Sequence, residues 1–138
     1  MQMNAYLSFK GQCEEAFRCY QRTLGGQLGT IFRYAGSPMT DQVPADWQDK
    51  VMHTTLTLDG HVLMGGDVAL NHFEAPKGFS MSLTIKSTPD AERIFNELSQ
   101  DGRVIMALQK TFWAARFAHV VDRFGIPWLI NCESEGGV

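Results

Sequence analysis

The fold is decided by the stretch Asp122-Arg-Phe-Gly-Ile-Pro-Trp-Leu-Ile-Asn-Cys-Glu133. Gly125 marks a turn, and the apolar run that follows it over 126–132 has the β-branched and aromatic bias of a buried strand. Successive side chains of a strand point to opposite faces of the sheet. One face of this strand would carry Trp128 and Ile130, and the other would carry Pro127, Leu129 and Asn131. We therefore expect one face to pack against helices and the other to line a cavity.

The composition is that of one soluble globular domain. The 138 residues are 44% hydrophobic and 20% charged, and the net charge of −3 comes from 12 basic and 15 acidic residues spread along the chain. No basic cluster could neutralise several phosphates, so we expect no nucleic-acid partner. No apolar run approaches the roughly 20 residues that span a bilayer, so we expect no membrane partner either.

The cysteines and the first residues predict a cytoplasmic protein. The three cysteines are an odd number without a Cys-x-x-Cys spacing, so neither a disulfide framework nor a zinc knuckle is indicated. The opening residues Met-Gln-Met-Asn-Ala-Tyr lack the basic and apolar regions of a secretion signal.

The first half of the chain predicts one helix among four strands. Strands are expected at 5–10, 27–35, 51–58 and 61–65, the last two joined by the hairpin signal Asp59-Gly60. The helix between the first two strands is predicted by an apolar stripe at helical spacing: Cys13, Ala16, Phe17, Tyr20 and Leu24. The polar segment 36–50 has the length of a lid or a mobile loop.

The second half repeats this order. Strands are expected at 79–86, 104–108, 115–122 and 126–132, and a helix is expected to begin at Thr88-Pro89, a hydroxyl cap followed by proline. Leu7, Phe9 and Lys10 match Leu83, Ile85 and Lys86 at a constant offset. We interpret this as an internal duplication of one strand-helix-strand-strand-strand module. The boundaries would be about 1–70 and 78–138, with 71–77 as linker, inside a single domain 1–138.

Several segments resemble one known family over nearly the whole chain. They are 6–17 (Tyr-Leu-Ser-Phe-Lys-Gly-Gln-Cys-Glu-Glu-Ala-Phe), Gly25-Gly26, 51–54 (Val-Met-His-Thr), 63–67 (Leu-Met-Gly-Gly-Asp), 111–113 (Thr-Phe-Trp) and 122–133. The chain is similar to the PhnB-like branch of the glyoxalase/bleomycin-resistance/dioxygenase superfamily, also called vicinal oxygen chelate. The resemblance implies an α+β fold of two βαβββ modules with cup-shaped mixed sheets, and usually a homodimer.

The resemblance also implies where a metal would be bound. Enzymes of the superfamily carry His or Glu ligands on the first and last strands of each module. The matching positions fall at about Ala5, Met64, Ser80 and Leu129, and none of them supplies the nitrogen or oxygen ligand that a first-row divalent ion needs. The sequence therefore predicts no catalytic residue, no metal and no cofactor. Some members of the branch carry the name of a ubiquinone-pathway methyltransferase. Gly65-Gly66 gives that chemistry no support, because it is expected between a hairpin strand and a loop without a following helix.

Six residues are candidates for ligand binding: Arg33, His53, Thr55, Phe112, Trp113 and Asn131. Arg33 would anchor an acidic group or lie on an exposed strand face. His53, beside Thr55 on the cup-facing side of its strand, would be a half-exposed histidine, a polar ligand contact or a metal ligand. Phe112 and Trp113 would be core aromatics or the apolar wall of a cleft. Asn131 lies on the cavity-facing side of the last strand.

Three hypotheses remain open at this point. The first is a cytoplasmic, homodimeric protein that binds a small organic molecule in an apolar cup without a metal, as relatives that confer bleomycin resistance do by sequestration. The second is a metal-dependent lyase, isomerase or dioxygenase with a ligand set such as His53 with Glu133. The third is an interaction protein whose cup is filled by its own side chains.

Overall fold

The computed structural model describes residues 1–133 as an α+β protein with two mixed sheets. The chain forms two compact units, Met1–Glu74 and Ala75–Val138. The predicted fold class is confirmed. No helix among the described residues is long and apolar enough to cross a bilayer.

The first unit is a sheet with one helix packed against it. Its elements are β1 (Tyr6–Phe9), α1 (Cys13–Leu24), β2 (Gln27–Leu28), β3 (Phe32–Arg33), β4 (Val51–Leu58) and β5 (His61–Asp67). The strand order is β1-β5-β4-β2, with β3 also paired to β4; only the β1–β5 pair is parallel. α1 packs against β4 and β5 through its buried stripe. The stripe differs from the predicted one at its end, where Thr23 is buried and Leu24 is half-buried.

The continuous strand expected over 27–35 is wrong, because the chain leaves the ladder at 29–31. The amide of Gly29 still donates to the carbonyl of Thr55, 2.8 Å away. Beyond it, the fully buried hydroxyl of Thr54 donates to the carbonyl of Thr30 at 3.2 Å. A buried hydroxyl needs such a partner. The chain therefore bends at Thr30 and pairs again only at β3.

The segment 36–50 is folded rather than irregular. It contains two short 3₁₀ turns, Thr40–Gln42 and Ala45–Trp47. The side chain of Gln48 donates to the carbonyl of Thr40 at 2.9 Å and accepts from the hydroxyl of the same residue. A lid function for this segment stays a prediction.

The carboxylate of Asp67 ties three parts of the first unit together. Asp67 is 1% exposed, and its Oδ1 accepts from the amides of Gly11 and Cys13, both at 2.9 Å. Its Oδ2 accepts from the amide of Val51 at 2.9 Å. The end of β5, the start of α1 and the start of β4 thus share one buried anion, which the amides compensate.

The second unit repeats this arrangement with β6 (Met81–Ile85), α2 (Thr88–Ser99), β7 (Arg103–Gln109), β8 (Arg116–Val121) and β9 (Pro127–Cys132). The strand order is β6-β9-β8-β7, and the first and last strands again pair in parallel. The N-cap of α2 is Ser87, whose side chain accepts from the amide of Asp90, and not Thr88 as predicted. Trp128 and Ile130, which the alternation of β9 places on one face, are both buried.

Candidate functional site

Within residues 1–133, each sheet packs one face against the helix of its own unit, and its other face, here called the open face, carries no helix of that unit. In the first unit the two glycines of β5 distinguish these faces. A Cβ added to Gly65 would lie 2.6 Å from the ring of Phe17 on α1, whereas one added to Gly66 would lie 2.7 Å from the hydroxyl of Tyr6. Neighbouring residues of a strand point to opposite faces. Tyr6 and its register partner Met64 therefore lie on the open face.

Three aromatic rings form a row on the open face of the first sheet. The centroid of the His53 ring lies 5.7 Å from that of Tyr6, at an interplanar angle of 25°, and 6.5 Å from that of Phe32, at 33°. Because β4 lies between β3 and the β5–β1 pair, His53 stands between the other two rings. We call Tyr6, His53 and Phe32 the aromatic row.

A glycine in the sheet makes room for the Tyr6 end of this row. The Tyr6 side chain extends past Gly66, and its hydroxyl donates to the carbonyl of Met52 at 3.3 Å. Burial is the main cause that raises the pKa of Tyr6, and the nearby charge of Asp67 adds to it. The Tyr6 hydroxyl is therefore protonated at neutral pH and can donate a hydrogen bond.

Two polar groups beside the row keep unused hydrogen-bonding capacity. Within residues 1–133, neither the ring nitrogens of His53 nor the hydroxyl of Thr55 hydrogen-bonds to another group. A Cβ at position 29 would lie only 2.3 Å from the Thr55 hydroxyl. The hydroxyl therefore has room because residue 29 is a glycine. Both groups lie on the open face of β4, where a bound molecule could use them. Predicted candidates His53 and Thr55 are thus brought together, with Tyr6 and Phe32 beside them.

The open face of the second sheet carries another aromatic group. Phe117 pairs directly with Asn131 across the β8–β9 ladder. The ring of Trp113 meets that of Phe117 edge-on at 5.4 Å, and Phe112 meets Trp113 edge-on at 4.7 Å. Phe112 is 97% exposed and Trp113 is 49% exposed, so the alternative of core aromatics is wrong. The candidates Phe112, Trp113 and Asn131 are connected through Phe117.

Arg33 is not brought to the open face. Its guanidinium donates to Oε1 of Glu14 on α1 at 3.0 Å and to the carbonyl of Asp49 at 2.8 Å. The hydrogen bond from Arg33 is the main cause that lowers the pKa of Glu14, and the hydrogen bond from Arg18 adds to it. Arg33 therefore serves as a partner of Glu14, and the role of ligand anchor that we assigned to it stays untested.

The cross-strand register shows which residues of the first and last strands face each other on the open side of each sheet. Ala5 and Ser80 precede β1 and β6, and the open-face pairs on first and last strands are Tyr6 with Met64 and Ser82 with Leu129. Their side chains offer a phenol, a thioether, an alcohol and a hydrocarbon, which do not fit a first-row divalent ion. Within residues 1–133 no group of three His, Cys, Asp or Glu could hold a metal ion.

Three residues of these sites were missed by the sequence analysis: Tyr6, Phe32 and Phe117. The alternation of β1 contained a signal for Tyr6, because Leu7 and Phe9 are the buried pair and Tyr6 must face the other way. Nothing in the sequence pairs Phe32 with His53, since the register of β3 depends on the bend at Thr30.

Comparison with known proteins gives the family. Residues 1–131 match the family model for 3-demethylubiquinone-9 3-methyltransferase. Protein YjdN of Escherichia coli K12 is 33% identical over 139 residues, covering 95% of both chains. The crystal structure of protein PA1353 from Pseudomonas aeruginosa is 44% identical, with a TM-score of 0.88 and 98% of both chains covered.

Two further solved structures connect this family to the wider fold. The PhnB protein from Bacillus cereus is 26% identical, with a TM-score of 0.81 over 96% of this chain and 99% of that one. A glyoxylase/bleomycin resistance protein/dioxygenase domain from Frankia is 11% identical, with a TM-score of 0.63 over 96% and 95%, and shows the shared fold. The predicted resemblance is confirmed: the chain belongs to the PhnB-like 3-demethylubiquinone-9 3-methyltransferase family, which has the glyoxalase/bleomycin-resistance/dioxygenase fold.

Proposed function

We propose that this protein binds a small organic molecule on the open faces of its sheets, without a catalytic metal. The aromatic row on the first sheet carries the proposal. Tyr6 is 46% exposed and Phe32 is 51% exposed, although both are large rings on a folded sheet. Contiguous exposed aromatic surface with unused hydrogen-bonding groups beside it is typical of a ligand site.

The donor set supports binding without a metal. Among the described strand residues on the open face of the first sheet, His53 carries the one imidazole. The adjacent pair Tyr6–Met64 offers a protonated phenol and a thioether. A divalent ion would need two or more further nitrogen or oxygen ligands beside His53. The second hypothesis, a metal-dependent lyase, isomerase or dioxygenase, therefore gains no support from these side chains.

The methyl transfer in the family's name is not supported by the strand-to-helix turns of the described residues. A nucleotide-type donor is usually held at a glycine-rich turn between a strand and a helix. The amides of Gly11 and Cys13 in the β1–α1 turn are already bonded to Asp67, and the β6–α2 turn has Ser87 as its cap. Gly65 and Gly66 lie within β5, where Phe17 and Tyr6 fill the space beside them. Such a donor does not fit these turns.

The open face of the second sheet is a further part of the proposed ligand-binding surface. Trp113 and Phe117 provide a partly exposed aromatic corner, and Asn131 beside them supplies an amide that can donate and accept. Phe112 adds a fully exposed ring. A cytoplasmic location, expected from the cysteines and the first residues, and a homodimer, implied by the family resemblance, remain part of the proposal.

The test combines metal analysis with ligand screening. The protein is purified without an affinity tag of histidines, its metal content is measured, and its melting is followed with a library of small organic compounds. We expect organic compounds to raise the melting temperature, because a ligand of the native state stabilises it by mass action. The exchange Tyr6→Leu should remove the shift for compounds bound to the row. The matched control is His61→Gln, at an exposed position of the β4–β5 hairpin. One metal ion per chain, together with no organic binder, would contradict the proposal.

A further inference from the structure

We infer that strand β7 docks an extended segment of a partner protein, one with apolar residues in its middle and an acidic residue at each end. This inference goes beyond the proposed ligand site and does not depend on it. Three properties of β7 lead to it: an edge of backbone without a strand partner, a run of exposed apolar side chains, and a basic residue at each end.

The backbone of β7 has a strand partner on one side only. β7 lies at the edge of the second sheet and pairs with β8. Within residues 1–133 no other segment bonds to its backbone, and one carbonyl, that of Ala107, accepts from the side chain of Gln109 at 3.1 Å. The register with β8 shifts on both sides of Met106, so an added strand would pair over two short stretches. Such an edge can accept an extended peptide as an additional strand.

The apolar side chains of β7 are exposed in an unbroken run. Val104 is 46% exposed, Ile105 49% and Met106 38%. Solvated edge strands usually carry a charge or a proline that prevents further pairing. Residues 104–108 are Val-Ile-Met-Ala-Leu and contain neither. Because contiguous exposed apolar residues mark protein interaction sites, we expect the middle of the partner segment to be apolar.

The charges at the two ends of β7 select the partner. Arg103 begins the strand, Lys110 directly follows it, and both are exposed. Within residues 1–133 neither of them forms an ion pair. A second copy of this chain, paired antiparallel through β7, would bring Arg103 of one copy close to Lys110 of the other, and such like charges destabilise a strand pair. A segment with an acidic residue at each end suits both positions in either direction.

The experiment measures the binding of short capped peptides to the full chain by fluorescence anisotropy at low salt. The first probe has six alternating valines and threonines between two glutamates, which matches the spacing of residues 103–110. The second probe has lysines in place of the glutamates. We expect the glutamate probe to bind about tenfold more tightly, because two attractive charge pairs replace two repulsive ones. A glutamate probe with a central proline should bind about tenfold more weakly, because proline cannot donate to the ladder.

Variants of the protein test the ends and the middle of β7 separately. Arg103→Glu together with Lys110→Glu should reverse the preference, so that the lysine probe binds more tightly. Val104→Thr together with Ile105→Thr should weaken the glutamate probe about fivefold, because apolar contact is lost. The matched control is Leu70→Thr, at a position of the first unit that is 65% exposed, and it should leave binding unchanged. Circular dichroism verifies that each variant is folded.

Three outcomes would overturn the inference. The first is no binding of the glutamate probe up to millimolar concentration, and the second is equal binding of the glutamate and lysine probes. The third comes from light scattering on the protein alone. A dimer that dissociates in the Val104→Thr, Ile105→Thr variant would show that a second copy covers β7, whereas an oligomeric state that this variant leaves unchanged supports a different partner.

Discussion

Exchange of Asp67 for asparagine should destabilise the protein far more than any exposed ionic exchange. The asparagine keeps one oxygen, which can still accept from the amides of Gly11 and Cys13, but its NH₂ group faces the amide of Val51 and cannot accept from it. Hydrogen bonds to a charged group contribute about 1.5–3 kcal/mol each, and neutral ones about 1 kcal/mol. One lost bond and two weakened ones together give a loss of about 4 kcal/mol.

Urea unfolding followed by circular dichroism measures this loss as a shift of the midpoint at an unchanged slope. The matched control is Glu14→Gln, which removes the partly exposed ion pairs of Glu14 with Arg18 and Arg33. Such pairs contribute about 1 kcal/mol at most. If Asp67→Asn costs no more than Glu14→Gln, the buried carboxylate does not hold the unit together and our account of it is refuted.

Three further predictions concern charge, capping and space. Glu14 has a lowered pKa in the folded protein because of its bonds to Arg33, so its contribution to stability is present at neutral pH and is lost as the pH falls through that lowered pKa. The stability difference between the wild type and Glu14→Gln should therefore shrink in urea titrations below about pH 4, and a difference that persists at lower pH would contradict this. Ser87→Ala should cost about 1 kcal/mol in the same assay and Thr88→Ala close to nothing, because Ser87 is the cap of α2; the reverse order would restore the predicted cap. Gly66→Ala should cost about 2 kcal/mol, since its Cβ would lie 2.5 Å from a backbone carbonyl oxygen, and an unchanged melting temperature would show that the sheet can shift there.

The elements that could be predicted from the sequence are those fixed by local periodicity. The alternation of β9 placed Trp128 and Ile130 on one face of the strand, and they are 1% and 0% exposed. The first helix follows from its apolar stripe and the second from the start signal Thr88-Pro89, and the repeated order of elements follows from the duplication. These features depend only on the spacing of residue types within one short segment of the chain.

The features that could not be predicted depend on contacts between distant segments. The break after β2 follows from the buried hydroxyl of Thr54, which bonds to Thr30 on another strand. Arg33 was proposed as an anchor because a charge on a strand needs a partner, and that partner is Glu14 on a helix nineteen positions away in the chain. No periodicity within either segment contains this information.

The candidate site was predictable in part. Alternation along β4 placed His53 and Thr55 on the open face. Their aromatic neighbours come from the beginning of the chain and from a two-residue strand, Tyr6 and Phe32, and only the sheet register brings them together. The register also shows that Tyr6, and not Ala5, is the strand partner of Met64.

The most direct test of the central claim is the melting temperature of the metal-stripped protein with divalent ions and, separately, with the library of small organic compounds. Our account predicts that organic compounds raise it by several degrees at saturating concentration, and that zinc, nickel and iron(II) leave it unchanged. One ion bound per chain with a raised melting temperature, and no effect of any organic compound, would contradict binding without a metal.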